Sequence, residues 1–153
     1  MRVTAAAALA FATLTVTAVV RAEETATTKD AELLVHNAVA YLQKEGKAKA
    51  FAAFSDPHGP FTYRDLYVMA YDLNATCLAH GQKKERVGKN FMEEKDVDGK
   101  QFMKERFDIV RKHGKGWQDY KYANPLTKKT EQKTAYFERV GDVVIVSGAY
   151  KKK

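Results

Sequence analysis

The pattern of apolar residues changes its period partway along the chain, and that change constrains the fold more than any other feature. From about Thr28 to Gln43, Ala31, Leu34, Val35, Ala38, Val39 and Leu42 recur at steps of three and four, the signature of one apolar helix face. Thr27 or Thr28 can cap that helix, and Gly46 interrupts it. Ala50, Phe51 and Phe54 continue the helical spacing until Asp56-Pro57-His58-Gly59-Pro60 forces a turn. From Tyr63 onward the chain reads as strands. Tyr63–Leu73, rich in aromatic and aliphatic residues, and Thr76–His80 flank a turn at Asp72–Ala75, which predicts a hairpin. Phe102, Met103, Phe107 and Val110 return to helical spacing, and Gly114 and Gly116 close that helix. Three more strands follow, at 117–122, 132–140 and 143–150, the last two joined by a Gly141-Asp142 turn. The order helix, two strands, helix, three strands predicts an α+β fold: a long N-terminal helix and a five-stranded, mostly antiparallel sheet with a helix packed on one face.

The first residues predict export. Arg2 precedes an uncharged run from Val3 to Val20, and Val20-Arg21-Ala22 offers short residues at the two positions that signal peptidase reads. Residues 1–22 are therefore expected to be a signal peptide cleaved after Ala22, with one domain over 23–153; the alternative is retention as an anchor. The chain of 153 residues has a formal net charge of +7. That excess is spread along the sequence with no basic face interleaved with planar side chains, so no nucleic-acid partner is expected. The single cysteine, Cys77, excludes an internal disulfide, and its apolar surroundings predict a buried strand residue.

The stretch Glu94-Lys-Asp-Val-Asp-Gly-Lys-Gln-Phe-Met-Lys-Glu105 places acids at positions 1, 3, 5 and 12 of a calcium-loop template, with glycine at 6. Phe102 at position 9 and Gln101 at position 8 break that template, and Lys83–Asn90 supplies no amphipathic incoming helix. The alternative is a helix start, with Asp98 as N-cap and Gln101 reaching back in a capping box. No Gly-x-Ser-x-Gly, phosphate loop or His-Glu-x-x-His is present, and His36, His58 and His113 are scattered. Neither catalysis nor a cofactor or metal is expected.

Several segments together resemble the bacterial single Cache domain. They are Gly46-Lys-Ala-Lys-Ala-Phe51, Tyr71-Asp-Leu-Asn74 with Leu78-Ala-His-Gly81, Val87-Gly-Lys-Asn90, Asp96-Val-Asp-Gly-Lys100, Gly116-Trp-Gln-Asp-Tyr-Lys-Tyr122 with Asn124-Pro125, and Lys133-Thr-Ala-Tyr136. The resemblance implies a PAS-like extracytoplasmic sensor, periplasmic or secreted, in which a small molecule binds between sheet and loops. It also implies a signalling partner, either a membrane receptor or kinase or a second copy paired through the N-terminal helix. Lys153 follows the last strand directly, so a free-standing exported form is expected.

Strand alternation sets Tyr120 and Tyr122 opposite Trp117, Asp119 and Lys121, and it sets Thr134, Tyr136 and Glu138 opposite Lys133, Ala135 and Phe137. Pairing these strands brings aromatic rings near a lysine ammonium, an arrangement suited to a small organic acid or amino acid. Tyr67 and Met69 share a face with Tyr71, and the resemblance adds His80, at the end of the second strand, as a pocket residue. The expected ligand-binding set is thus Tyr67, Met69, His80, Trp117, Tyr120, Lys133 and Tyr136. The alternative functions are a structural or protein-interaction module whose aromatics fill its own core, or a metal carrier using His80 and the acids near Asp96.

Overall fold

The computed structural model describes residues 25–151; the expected signal peptide, residues 1–22, lies outside them. Helix α1 spans Thr28–Glu45 and α2 spans Lys47–Phe54. Thr27 caps α1 in a reciprocal box: its hydroxyl accepts the Asp30 amide, and the Asp30 carboxylate accepts the Thr27 amide at 2.8 Å. Gly46, at φ +80°, separates the two helices.

The expected single strand Tyr63–Leu73 is broken into three pieces: β1 (Thr62–Tyr63), β2 (Leu66–Tyr67) and β3 (Met69–Asp72). Arg64 takes a left-handed turn conformation, and the Val68 amide returns to the Phe61 carbonyl, so β1 and β2 form a separate small hairpin. Strand β4 is Cys77–His80, α3 is Phe102–His113, and β5, β6 and β7 are Lys115–Ala123, Thr130–Val140 and Val143–Tyr150. The main sheet has the order β4-β3-β7-β6-β5 with every neighbouring pair antiparallel.

Alternation along β7 divides the core in two. Val143, Ile145 and Ala149 face α1 and α2, joining Leu34, Val35, Ala38, Leu42 and Phe54. Val144 and Val146 face the other way, toward Tyr67, Met69, Tyr71, Cys77, Phe102, Met103, Phe107, Tyr120 and Phe137. Cys77 is fully buried, as its surroundings predict, and burial pushes its thiol up to about 11.

The connection from β4 to α3, residues 81–101, crosses this second face from one sheet edge to the other. At the β4 edge the Gly88 amide donates to Cys77, the Cys77 amide to Lys89 and the Phe91 amide to Ala75. At the β5 edge Asp96 accepts the Lys121 amide, and the Lys100 ammonium donates to the Asp119 carbonyl at 2.6 Å. The connection is therefore a strap tied to both edge strands, with Phe91 and Met92 packed against the core beneath it.

The expected capping role of Asp98 is corrected. Helix α3 starts at Phe102, after Gln101, and no side chain caps it. Asp98 instead pairs with Lys121 at 2.7 Å. Asp96 organises the loop, its Oδ1 accepting the amides of Asp98 and Lys100 at 2.9 and 3.0 Å while Oδ2 accepts that of Lys121. The nearby amide of β5 decides the matter, because a carboxylate that gathers three backbone donors is held more firmly than an N-cap facing water. Partial burial pushes the Asp96 carboxyl up, but these amide bonds outweigh it and leave it below its ordinary value. Asp96→Ala is expected to destabilise the fold by about 1–3 kcal/mol and Asp98→Ala by less than about 0.5 kcal/mol, measured by chemical denaturation; equal losses would return the organising role to Asp98.

Candidate functional site

The β5–β6 register pairs Tyr120 with Lys133 and Trp117 with Tyr136. Directly paired residues project to the same side of a sheet, so the two pairs occupy opposite faces. Tyr67, Met69, His80, Tyr120 and Lys133 come together on the strap-covered face. Trp117 and Tyr136 lie on the α1 face, 5.0 Å apart, where Tyr136 meets His36 edge-on at 5.5 Å and donates to Glu138 at 3.1 Å. The structure thus separates these two aromatics from Lys133, and Trp117 remains 41% exposed.

Lys133 is completely buried. Its Nζ hydrogen-bonds the Tyr67 hydroxyl at 3.1 Å and the Tyr150 hydroxyl at 3.4 Å. It also lies 4.2 and 4.8 Å from the centroids of those two rings and 5.8 Å from that of Tyr122. Among the described residues no carboxylate stands within ion-pair distance of it. Burial, reinforced by the charge of Arg106 and only partly offset by Asp65, lowers its ammonium to about 7. Asp65 is itself buried and uses Oδ1 to accept the Ala26 amide at 3.0 Å.

His80 stacks on Tyr67 at 5.1 Å and 25°. Its Nδ1 accepts the amides of Gln82 and Lys83, which assigns the proton to Nε2. Burial, then the charges of Arg86, Lys133 and Lys83, hold it down to about 3, so the ring is a neutral donor at physiological pH. Gly81 permits the close approach behind this stack: a Cβ there would come within 2.9 Å of the Tyr67 Cβ. Neither His80 nor Asp96 offers a metal site, because their acceptor atoms are taken up by backbone amides. No cluster of metal-ligating side chains occurs among the described residues.

Arg106, Arg86 and Tyr150 join the candidate site and were missed by sequence reasoning. Arg106 is buried on α3, with its guanidinium 5.5, 5.3 and 5.7 Å from the rings of Phe102, Tyr120 and Phe137. The signal was present: Arg106 stands in the stripe Phe102, Met103, Phe107, Val110, where a solvated arginine does not belong. Arg86, on the strap, pairs with Glu94 at 2.6 Å and covers the Phe91 ring at 3.6 Å. His80 Nε2, Arg86 Nε, and Arg106 Nε and Nη2 are buried without a hydrogen-bond partner. All four are donors, and unmet buried donors beside uncompensated cations are complementary to an anion.

Three depressions open to solvent among the described residues lie elsewhere. One of about 500 Å³ follows the outer side of α3 past Lys104, Asp108 and Lys112, and one of about 300 Å³ lies between α1 and the β1–β2 hairpin. A third, of about 320 Å³, is lined by residues 25–28 together with Thr134, Ala149, Tyr150 and Lys151. We favour the strap-covered face as the candidate site because among the described residues it gathers two buried cations and four unpartnered donors.

Lys133 also makes a stability prediction. Above about pH 7 the folded amine is neutral while the unfolded one keeps its proton up to about its ordinary value of 10.5, so the unfolded chain binds more protons and stability rises with pH across that window. Lys133→Met leaves a buried thioether in place of a buried charge. It is expected to stabilise the protein by about 1–3 kcal/mol at neutral pH and to flatten the rise, as read from denaturation midpoints at several pH values; loss of stability in this variant would show that the ammonium is well compensated.

The family model for single Cache domain 2 matches residues 3–152. The fold is shared with a methyl-accepting chemotaxis protein from Vibrio parahaemolyticus RIMD 2210633, at TM-score 0.69 and 22% identity over 80% of this chain and 86% of that one. It is shared also with a Cache chemosensory domain whose structure concerns carboxylic acid recognition, at TM-score 0.72 and 18% identity over 82% and 93%. A periplasmic sensor domain of a chemotaxis protein aligns at TM-score 0.65 and 21% identity over 82% and 90%. No curated protein matches the sequence. With the family model covering nearly the whole sequence and the architecture in agreement, the chain belongs to the single Cache domain 2 family.

Proposed function

We propose that this Cache domain is an exported sensor that binds a small carboxylate, of the organic acid or amino acid class, between the sheet and its strap, without catalysis. The observation that carries the reading is the pair of buried cations, Lys133 and Arg106, on a face where His80, Arg86 and Arg106 present unpaired donors. A carboxylate placed there supplies the counter-charge that the fold omits and accepts several charge-assisted hydrogen bonds. Tyr67, Tyr120 and Met69 form the walls, and Tyr150 joins them through its contact with Lys133. One neighbour sharing this fold is described by carboxylic acid recognition, which supports the ligand class.

Export rests on the signal-like residues 1–22 and on the periplasmic setting named for one structural neighbour. No helix among the described residues is long and apolar enough to cross a membrane. Output then passes to a membrane receptor or kinase, or to a second copy paired along α1, whose outward-facing Leu33 is 58% exposed. Ligand contact with Arg86 alters how the strap is held to the sheet, and the strap is the element that a partner can read.

Calorimetric titration with a panel of short carboxylates is expected to find a ligand whose affinity falls about 10–100-fold in Lys133→Met and in Arg106→Gln. Trp117→Ala leaves that affinity unchanged, since Trp117 lies on the other face. Unaltered binding in both cation variants would move the site elsewhere. Affinity is also expected to be flat below about pH 7 and to fall above it by up to about tenfold per pH unit, because the anion binds the ammonium form of Lys133. A pH-independent affinity would exclude Lys133 as the charged contact.

A further inference from the structure

We propose that Lys133 captures, as a reversible imine, small ligands that carry both a carboxylate and an aldehyde or ketone carbon. The inference deepens the binding reading above and rests on the same site. A nucleophilic lysine needs an amine freed of its proton, a place for the leaving oxygen, and a group that holds the electrophile. Lys133 meets the first need through its surroundings. It is fully buried and makes no ion pair with a carboxylate among the described residues, and the groups that face it are the phenols of Tyr67, Tyr120, Tyr122 and Tyr150, neutral His80, the cations Arg106 and Lys83, and the carboxylate of Asp65. This environment leaves the amine about half unprotonated near pH 7, whereas a lysine at its ordinary value of 10.5 has a neutral fraction on the order of a thousandfold smaller.

The second need is met by the two hydroxyls at 3.1 and 3.4 Å from Nζ. Tyr150 donates its own proton to the Ala123 carbonyl at 2.7 Å, so its oxygen accepts, while Tyr67, held by the His80 stack, is the hydroxyl placed to donate. Arg106 meets the third. Its Nε and Nη2 are unpaired, and its guanidinium lies over the ring of Tyr120, the residue directly opposite Lys133 in the β5–β6 ladder. In the proposed pose a carboxylate held by Arg106 beside Tyr120 directs its adjoining carbonyl carbon to Lys133 across the ladder.

The chemistry balances without an oxidant or reductant. The amine lone pair forms the C–N bond, the carbonyl π pair moves to oxygen, and an N–H proton passes to that oxygen to give a carbinolamine. Protonation of the hydroxyl and loss of water then break the C–O bond, leaving a protonated imine whose positive charge faces the ligand's own carboxylate. Water returned to the site reverses every step, so the event is capture and not turnover.

The test uses glyoxylate as the probe, with sodium cyanoborohydride to fix the imine and peptide mapping by mass spectrometry to locate the adduct. Glycolate, which has the carboxylate but no carbonyl, is titrated in parallel by calorimetry. The expected result is labelling of the Lys133 peptide ahead of the surface lysines, suppressed by excess glycolate and reduced to the surface rate in Arg106→Gln. Labelling is also expected to increase with pH across neutrality, opposite to the trend for reversible glycolate binding. Glycolate binding without Lys133 labelling would overturn the imine alone and leave the carboxylate sensor standing. Neither binding nor labelling would overturn both, and labelling confined to surface lysines overturns the imine.

Discussion

The structure turns on a lysine that the fold buries without an ion-pair partner among the described residues. Lys133 enters the sheet in the middle of an otherwise apolar face, and its nearest partners are phenols. Taking an ammonium out of water costs several kcal/mol unless something repays it, and two hydroxyls and three aromatic rings repay it only in part. Arg106 adds a second buried cation to the same side. A sequence selected for stability alone would fill these positions with methionine or leucine. On the proposed carboxylate reading, keeping two cations in a core is preorganisation: their electrostatic cost is met during folding, so a bound anion would release it at the moment of recognition.

The elements around Lys133 follow from that demand. The His80–Tyr67 stack fixes one hydroxyl, and it depends on Gly81 because no side chain fits between β4 and Tyr67. Tyr150 is fixed by the Ala123 carbonyl. The Phe102–Tyr120 stack, parallel within 8° at 4.4 Å, forms the wall behind Arg106 and fixes the start of α3 against β5. Helices α1 and α2 pack the opposite face of the sheet.

Much of this was legible in the residues. The helices follow from their apolar periodicity, and the faces on which Tyr120 and Lys133 lie within their own strands follow from alternation, because a strand's side chains have a period of two whatever the tertiary context; the register that sets these two opposite each other is read from the structure. Trp117 and Tyr136 show where that reasoning stops being sufficient: alternation already set them opposite Lys133, and aromatic character alone drew them into the expected site. Arg106 escaped because a helical arginine reads as solvated unless the apolar stripe is traced through it. The choice between Asp96 and Asp98 was not local at all. Both have the spacing of a capping or turn-forming residue, and the deciding donor, the Lys121 amide, comes from a strand 25 residues away.

The strap has a consequence for how the sheet resists aggregation. By tying itself to β4 and to β5, it occupies backbone groups at both borders of the sheet, which would otherwise be templates for another chain. The same strap roofs the cationic face. On the proposed carboxylate reading, a ligand that enters by lifting the strap would also bare strand borders, so uptake rate and resistance to aggregation would oppose each other through one segment. A faster-opening variant would then gain speed at the expense of solubility, and a saturating ligand, by holding the strap down, would act as the protein's own chaperone.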